Sequence, residues 1–276
     1  MSFFRYPGGK AKLSGPILSK IQELTEGQDI HHYMEPFFGG GSICFATLKK
    51  KTFPDLKSVV INEADFALYC LWHTVIRDPE ALIKKVREFK PSTQGFYAIK
   101  ESLIRGDYQN LPYETIGLMK LAIHQMSYSG LGVKAGGPIG GSKQMSKYGV
   151  DCRWSPDSII KKINVCYDLL SEVDVRMYVG DAINVIDYCS TPDTFIYLDP
   201  PYYEKGQELY QFTFLEDAHK QLADTLKKTP SPWLLSYDDC PEVRELYSWA
   251  TIEDINVNYT ITTARTKSEL LIYPKK

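Results

Sequence analysis

Asp199-Pro200-Pro201-Tyr202 follows the apolar run Phe195-Ile196-Tyr197-Leu198, which reads as a buried strand. Two consecutive prolines cannot continue a strand and donate no backbone N–H, yet their carbonyls still accept. Taken alone, the tetrapeptide is a strand-ending turn with a surface Asp. Its composition also suits one kind of chemistry. A carboxylate and a neighbouring carbonyl can each accept one N–H of an exocyclic amine, drawing the nitrogen toward tetrahedral geometry. The freed lone pair then faces an electrophilic methyl group, while Tyr202 offers a flat surface for the ring that carries the amine. Such a site works by positioning and electrostatics and needs no nucleophilic Cys.

A second group lies upstream. Gly39-Gly40-Gly41 sits between a short β-like run, Ile30–Met34, and a helical stretch from Ile43, where glycine permits a sharp turn and close approach of a ligand. Glu63 ends the next β-branched run, Ser58–Ile61, at the place where a carboxylate would accept from two ribose hydroxyls. The loop lacks P-loop spacing, which argues against nucleoside triphosphate hydrolysis. Together, loop and carboxylate support an adenosine-containing cofactor, and by themselves they suit NAD equally. Arg5-Tyr6-Pro7-Gly8-Gly9-Lys10 and Gly180-Asp181 are, in isolation, ordinary turn signals.

The elements that must hold these residues alternate. Apolar spacing predicts helices from Leu13 to Leu24, over Leu68–Ile76, from Pro79 to Phe89 and after Pro156, and strands at Val175–Val179, Phe195–Leu198 and Trp233–Ser236. This β-loop-α order points to a parallel sheet with right-handed crossovers. Two late runs, Ile255–Ile261 and Glu269–Tyr273, suit an antiparallel edge hairpin. The pattern breaks between residues 90 and 155, where one helical patch, Ile116–Met126, precedes a Gly-rich stretch that reads as loops and hairpins. The chain therefore divides into residues 1–89, an insert over 90–155, and residues 156–276.

The 276 residues carry a net charge of −2, which excludes a strongly basic, histone-like binder. The sum conceals an asymmetry: residues 134–162 hold six bases against two acids, and residues 199–254 hold twelve acids against five bases. Six scattered cysteines without metal-ligand spacing indicate reduced thiols and no metal site. No run is apolar enough for a signal peptide or a membrane span, so a cytoplasmic protein is expected.

In motif order, from R-Y-P-G-G-K through E-P-F-F-G-G-G-S and an insert to D-P-P-Y, nearly the whole chain resembles the Dam-type, alpha-group adenine-N6 DNA methyltransferases. The resemblance implies an α/β fold: a Rossmann-like, mostly parallel sheet with an antiparallel C-terminal hairpin, plus a small inserted target-recognition subdomain. It implies that S-adenosylmethionine is bound by Tyr6 and Lys10, by Glu35, Phe37, Gly39 and Gly41 around the glycine loop, and by Glu63, Asp181 and Asp199. The family usually has Asp in D-x-N-x-x-L-x-x-L-Y, where Glu63-Ala64-Asp65-Phe66-Ala67-Leu68-Tyr69-Cys70-Leu71-Trp72 stands here. The catalytic set carried over is Asp199, Pro200, Pro201 and Tyr202.

Double-stranded DNA is the implied partner. Arg5 falls where relatives are often basic near DNA, and Ser127-Tyr128-Ser129-Gly130-Leu131 is similar to a DNA-contacting hairpin whose aromatic fills the duplex gap. Lys134, Lys143, Lys147 and Arg153 supply the basic face of the insert. Val133-Lys134 stands where close relatives have a base-reading Arg, so a GATC target does not carry over. The expected reaction is methyl transfer to the amino nitrogen of an adenine flipped from the duplex. Methylation of RNA or another amine by the same tetrapeptide, or DNA binding without turnover, are the alternatives; an NAD oxidoreductase leaves the tetrapeptide unexplained. A monomer suffices for one transfer, and a companion restriction enzyme is a partner the family allows.

Overall fold

The computed structural model describes residues 4–203, 214–257 and 267–275. The chain enters α1 (Ser14–Leu24), then β1 (His32–Glu35), α2 (Ser42–Lys50) and β2 (Ser58–Glu63). There follow α3 (Phe66–Arg77), α4 (Pro79–Glu88), α5 (Thr93–Arg105), α6 (Tyr113–Met126) and α7 (Pro156–Ser171). The second half supplies β3 (Asp174–Val179), α8 (Ala182–Cys189), β4 (Thr194–Leu198), α9 (Glu216–Lys228), β5 (Trp233–Asp238), α10 (Pro241–Leu246), β6 (Thr251–Val257) and β7 (Lys267–Tyr273).

The strands form one sheet in the order β3-β2-β1-β4-β5-β7-β6. β1 to β5 are parallel, and β7 enters antiparallel between β5 and β6. This is the expected mostly parallel sheet with an antiparallel C-terminal pair. The pair begins at Thr251, four residues before the predicted start, and residues 258–261 of the predicted run lie outside the described residues. The chain runs outward through β1, β2 and β3, then returns to place β4 beside β1. Ligands bind at such a reversal, beyond the carboxyl ends of the strands.

Side chains alternate across the sheet. Tyr33, Val59, Ile61, Phe195 and Tyr197 meet α1, α2, α3 and α7 on one face, around the fully buried Trp72 and Phe45. Met34, Val60, Ile196 and Leu198 meet α8, α9 and α10 on the other. Burial on both faces explains why these strands read as continuous apolar runs. Trp72→Ala would cost about 3–5 kcal/mol, since no neighbour can fill the space.

The insert contains more helix than predicted. α5 buries only Phe96 and Leu103, and such a sparse stripe is hard to read as a helix. α6 lies directly on α3: a Cβ on Gly117 would stand 2.8 Å from Leu71 Cα. Its Leu118 and Leu121 join the main core, while Ile116, Ala122, Ile123 and Met126 join a third cluster with Phe96, Val133 and Val150. The Gly-rich stretch forms two 3₁₀ turns, Tyr128–Gly130 and Gly132–Lys134, closed by a bridge between Ser127 and Pro138.

Candidate active site

β1 and β4 are paired neighbours, so the glycine loop after Glu35 and the tetrapeptide after Leu198 emerge side by side. Between them opens a cavity of about 360 Å³, lined on this side by Tyr6, Lys10, Glu35, Phe37, Gly39, Gly41, Asp199 and Pro201. Glu63, Asp181 and Lys134 also line it, whereas Pro200 and Tyr202 do not. All the residues expected around a cofactor thus meet at one site, joined by others outside that set, among them Asn62, Lys120 and His124.

Local geometry builds the glycine loop. Gly39 and Gly41 have φ of +50° and +64°. A Cβ on Gly39 would fall 2.8 Å from the Tyr6 ring, and one on Gly41 would fall 2.7 Å from the Phe45 ring. Trp72 Nε1 donates to the Gly39 carbonyl at 2.8 Å, so the core holds the loop from behind. Asn62 closes the neighbouring ends, its Nδ2 donating to the carbonyls of Pro36 at 3.0 Å and Gly180 at 3.1 Å. Asp181 caps α8 by accepting from Ile183 N at 2.9 Å.

The acids around the cavity are not ordinary surface carboxylates. Burial pushes Glu35 up to about 8, against the hydrogen bond it accepts from Tyr33 Oη at 2.6 Å, and the Asp199 charge adds to the rise. Burial and the Asp65 charge push Glu63 up to about 7, opposed by the N–H groups of Asp65 and Gly39. Asp65 in turn caps α3 and forms a buried ion pair with Lys120. His124 is held neutral by burial and by Lys120, down to about 3. Its Nδ1 donates to the Gly130 carbonyl at 2.9 Å, which leaves Nε2 as an acceptor.

At the tetrapeptide, Lys10 Nζ donates to Asp199 Oδ1 at 2.5 Å and lies 2.9 Å from Glu269 Oε1. Burial works against its charge, but Asp199 and Glu269 outweigh that and hold it well above the usual lysine range. Ser236 Oγ also donates to Asp199 Oδ1, at 3.3 Å. Asp199 is pushed up to about 6 by burial, with Lys10 opposing and Glu269 adding to the rise. Lys10, expected to touch the cofactor, lines the cavity and binds the tetrapeptide. Glu269 on β7 escaped the sequence reading; its one signal was an acid opening an otherwise apolar run.

The residues expected on DNA divide into two groups. Arg5 packs beside Gly130, where a Cβ would stand 3.1 Å from Arg5 Cβ, and burial with the Arg153 charge lowers the Arg5 guanidinium. Tyr128, on the same turn, is 71% exposed. Lys143 and Lys147 stand on the exposed loop after Gly141, with Lys147 Nζ 5.8 Å from the Tyr148 ring centroid. Gln144 organises this loop by donating to the Ile139 and Gly141 carbonyls and accepting from Val150 N at 2.7 Å.

The family of D12 class N6 adenine-specific DNA methyltransferases matches residues 6–261, and the chain belongs to it. That places it among the S-adenosylmethionine-dependent DNA methyltransferases. It is similar to the type II methyltransferase M.MjaIII of Methanocaldococcus jannaschii, 25% identical over 72% of this chain and 68% of that one. It is similar also to the type II methyltransferase M1.LlaDCHI of Lactococcus lactis subsp. cremoris, 24% identical over 94% of this chain and 88% of that one. Among solved structures, the rRNA methyltransferase aviRa of Streptomyces viridochromogenes aligns with 97% of this chain and 86% of its own, at a TM-score of 0.44 and 12% identity.

The cavity fits such a cofactor. Ser42 Oγ, Asn62 Oδ1 and His124 Nε2 are buried in residues of its wall and have no hydrogen-bond partner among the described residues. An amino acid joined to a nucleoside brings the ammonium and hydroxyl donors that such atoms lack. Among the described residues no cluster of His, Cys, Asp or Glu could hold a metal, and no helix is long and apolar enough to cross a membrane.

Proposed function

We propose that the chain methylates the N6 amine of adenine in duplex DNA (the activity EC 2.1.1.72), with the base flipped to the Asp199-Pro200-Pro201-Tyr202 loop. The observation that carries this reading is Asp199 at the cavity wall: Lys10 and Ser236 both bond Oδ1, and Oδ2 has no hydrogen-bond partner among the described residues. Oδ2 would accept one amine N–H and the Pro200 carbonyl the other, localising the lone pair on nitrogen. S-adenosylmethionine supplies the electrophilic methyl group when bound. Glu63, Asp181, Tyr6, Glu35, Phe37 and the glycine loop would hold that cofactor, with Ser42, Asn62 and His124 accepting or donating from the wall.

Residues 1–89 and 156–276 make the catalytic body, to which α6 lends a wall. The remainder of 90–155 would meet DNA: Tyr128 at the gap left by the flipped base, and Arg5, Lys134, Lys143, Lys147 and Arg153 on phosphates or base edges. The reading needs only a monomer, sets the protein in the cytoplasm and leaves room for a companion restriction enzyme. Modification-sensitive sequencing of duplex DNA incubated with protein and cofactor tests it. Adenine methylation in a defined context, lost in Asp199→Ala while DNA binding persists, is the expected result. Absence of methyl transfer to DNA, or transfer to RNA alone, overturns it.

A further inference from the structure

Glu269 lies on β7, opposite Asp238 of β5 in the antiparallel register, and is 7% exposed. Its Oε1 lies 2.9 Å from Lys10 Nζ and accepts from the Tyr202 hydroxyl at 3.2 Å. Lys10 Nζ also donates to the Tyr202 oxygen at 3.1 Å and lies 4.8 Å from the centre of its ring. Asp199, Lys10, Tyr202 and Glu269 thus form a closed network of two carboxylates, one ammonium and one phenol.

We propose that Glu269 is a positioning residue of the methyl-transfer site, fixing Lys10 and the Tyr202 hydroxyl so that Asp199 and the Tyr202 ring are set for the incoming amine. The inference rests on the reading of Asp199–Tyr202 as the catalytic loop. Its physical basis is hydrogen-bond saturation. An ammonium has three donor directions, and here Asp199, Tyr202 and, at 3.4 Å, the Gly8 carbonyl accept from it, with the Glu269 carboxylate beside it as a second ion-pair partner. With all three occupied, Lys10 cannot swing over Oδ2, and Oδ2 stays available to the substrate. Without Glu269, Lys10 loses one anchor and the Tyr202 hydroxyl loses its acceptor.

The titratable groups facing Asp199 come from every surrounding element: Lys10 from the short 3₁₀ turn Lys10–Lys12, Glu35 from β1, Tyr197 from β4, Tyr202 from its own loop, and Glu269 from β7. Ser236 of β5 contributes a neutral donor. Removing the Glu269 charge takes away a repulsion that favours protonated Asp199 and leaves Lys10 one carboxylate fewer to share. Both changes favour ionised Asp199 at lower pH.

The test compares Glu269→Gln and Glu269→Asp with the wild-type chain. Turnover is measured under saturating DNA, and Asp199 titration by carboxyl ¹³C NMR of the ligand-free protein. For Glu269→Gln, kcat should fall by about tenfold to a hundredfold with the KM for cofactor within about twofold. The Asp199 midpoint should move down by about half a pH unit or more. Glu269→Asp keeps the charge, so its midpoint should stay near wild type while kcat still falls. Wild-type kcat with an unmoved midpoint in Glu269→Gln overturns the proposal. If that variant does not fold, wild-type kcat in Glu269→Asp overturns it equally. Failure of the functional reading looks different: the wild-type chain then methylates no adenine, while the NMR midpoints still report whether Glu269 controls Asp199.

Discussion

The Glu63 carboxylate accepts the backbone N–H of Gly39 at 3.0 Å, tying the end of β2 to the glycine loop that follows β1. Its other oxygen accepts from Asp65 N at 3.2 Å. The same side chain therefore shapes the loop and faces the cavity. Glu63→Gln replaces one acceptor by a donor and should weaken cofactor binding by about tenfold or more, measured by calorimetry. Because Glu63 is pushed up to about 7, wild-type affinity should decline as the pH falls from 8 to 6. The Gln variant should lack that decline.

The rate should carry its own acid limb. In the proposed reaction Asp199 must be ionised to accept the amine, and burial pushes it up to about 6. Below that pH, kcat should fall by about tenfold per unit. Asp199→Asn should lose about a thousandfold or more at every pH, measured by transfer of a labelled methyl group.

Gly39 admits no side chain. Its φ of +50° brings strain to any L residue, and a Cβ there would collide with the Tyr6 ring at 2.8 Å. Gly39→Ala should cost about 1–3 kcal/mol in denaturant unfolding and should displace Tyr6, weakening the cofactor further.

Glu35 gives a prediction about stability. Its folded-state value of about 8 exceeds the ordinary 4.5, so between these values the folded chain holds more protons than the unfolded one. Stability then falls as the pH rises through that window. Glu35→Gln keeps the acceptor for Tyr33 and removes the buried charge. It should raise stability by about 1–2 kcal/mol at pH 8 and by little at pH 5, read from urea midpoints.

In the proposed complex the exposed loop carrying Lys143 and Lys147 contributes to DNA affinity. Lys143→Glu with Lys147→Glu should weaken duplex binding and flatten its dependence on salt by about one unit of slope per lost phosphate contact. Unchanged slope would remove this loop from the interface.

Much of the sheet was legible because its order follows local rules. Apolar runs bounded by Gly and Pro marked β1, β2, β4 and β5, and Asp78-Pro79 marked α4, where Asp78 does accept from Ala81 N. Other elements were not: α5 shows two buried side chains over thirteen residues, and α8 is a single short stretch whose apolar residues also suit a strand. Pro156 begins α7 as read, a boundary its fixed φ and missing N–H make legible in the sequence.

The contiguous motifs, Gly39–Gly41 and Asp199–Tyr202, were determined by the sequence itself, since a loop's backbone freedom and its functional groups reside in adjacent residues. The parallel order of the strands followed from the helices between them. Only the tertiary structure decided what surrounds Asp199. Lys10 lies 189 positions away in the chain, and Glu269 reaches the site because β7 slots between β5 and β6. A strand's choice of partner depends on which sheet edge the rest of the chain leaves open, and no spacing within Glu269–Tyr273 records that choice. Lys120 and His124 are the same case: one buried turn of α6 apart, they face the cavity only because Gly117 lets α6 lie against α3.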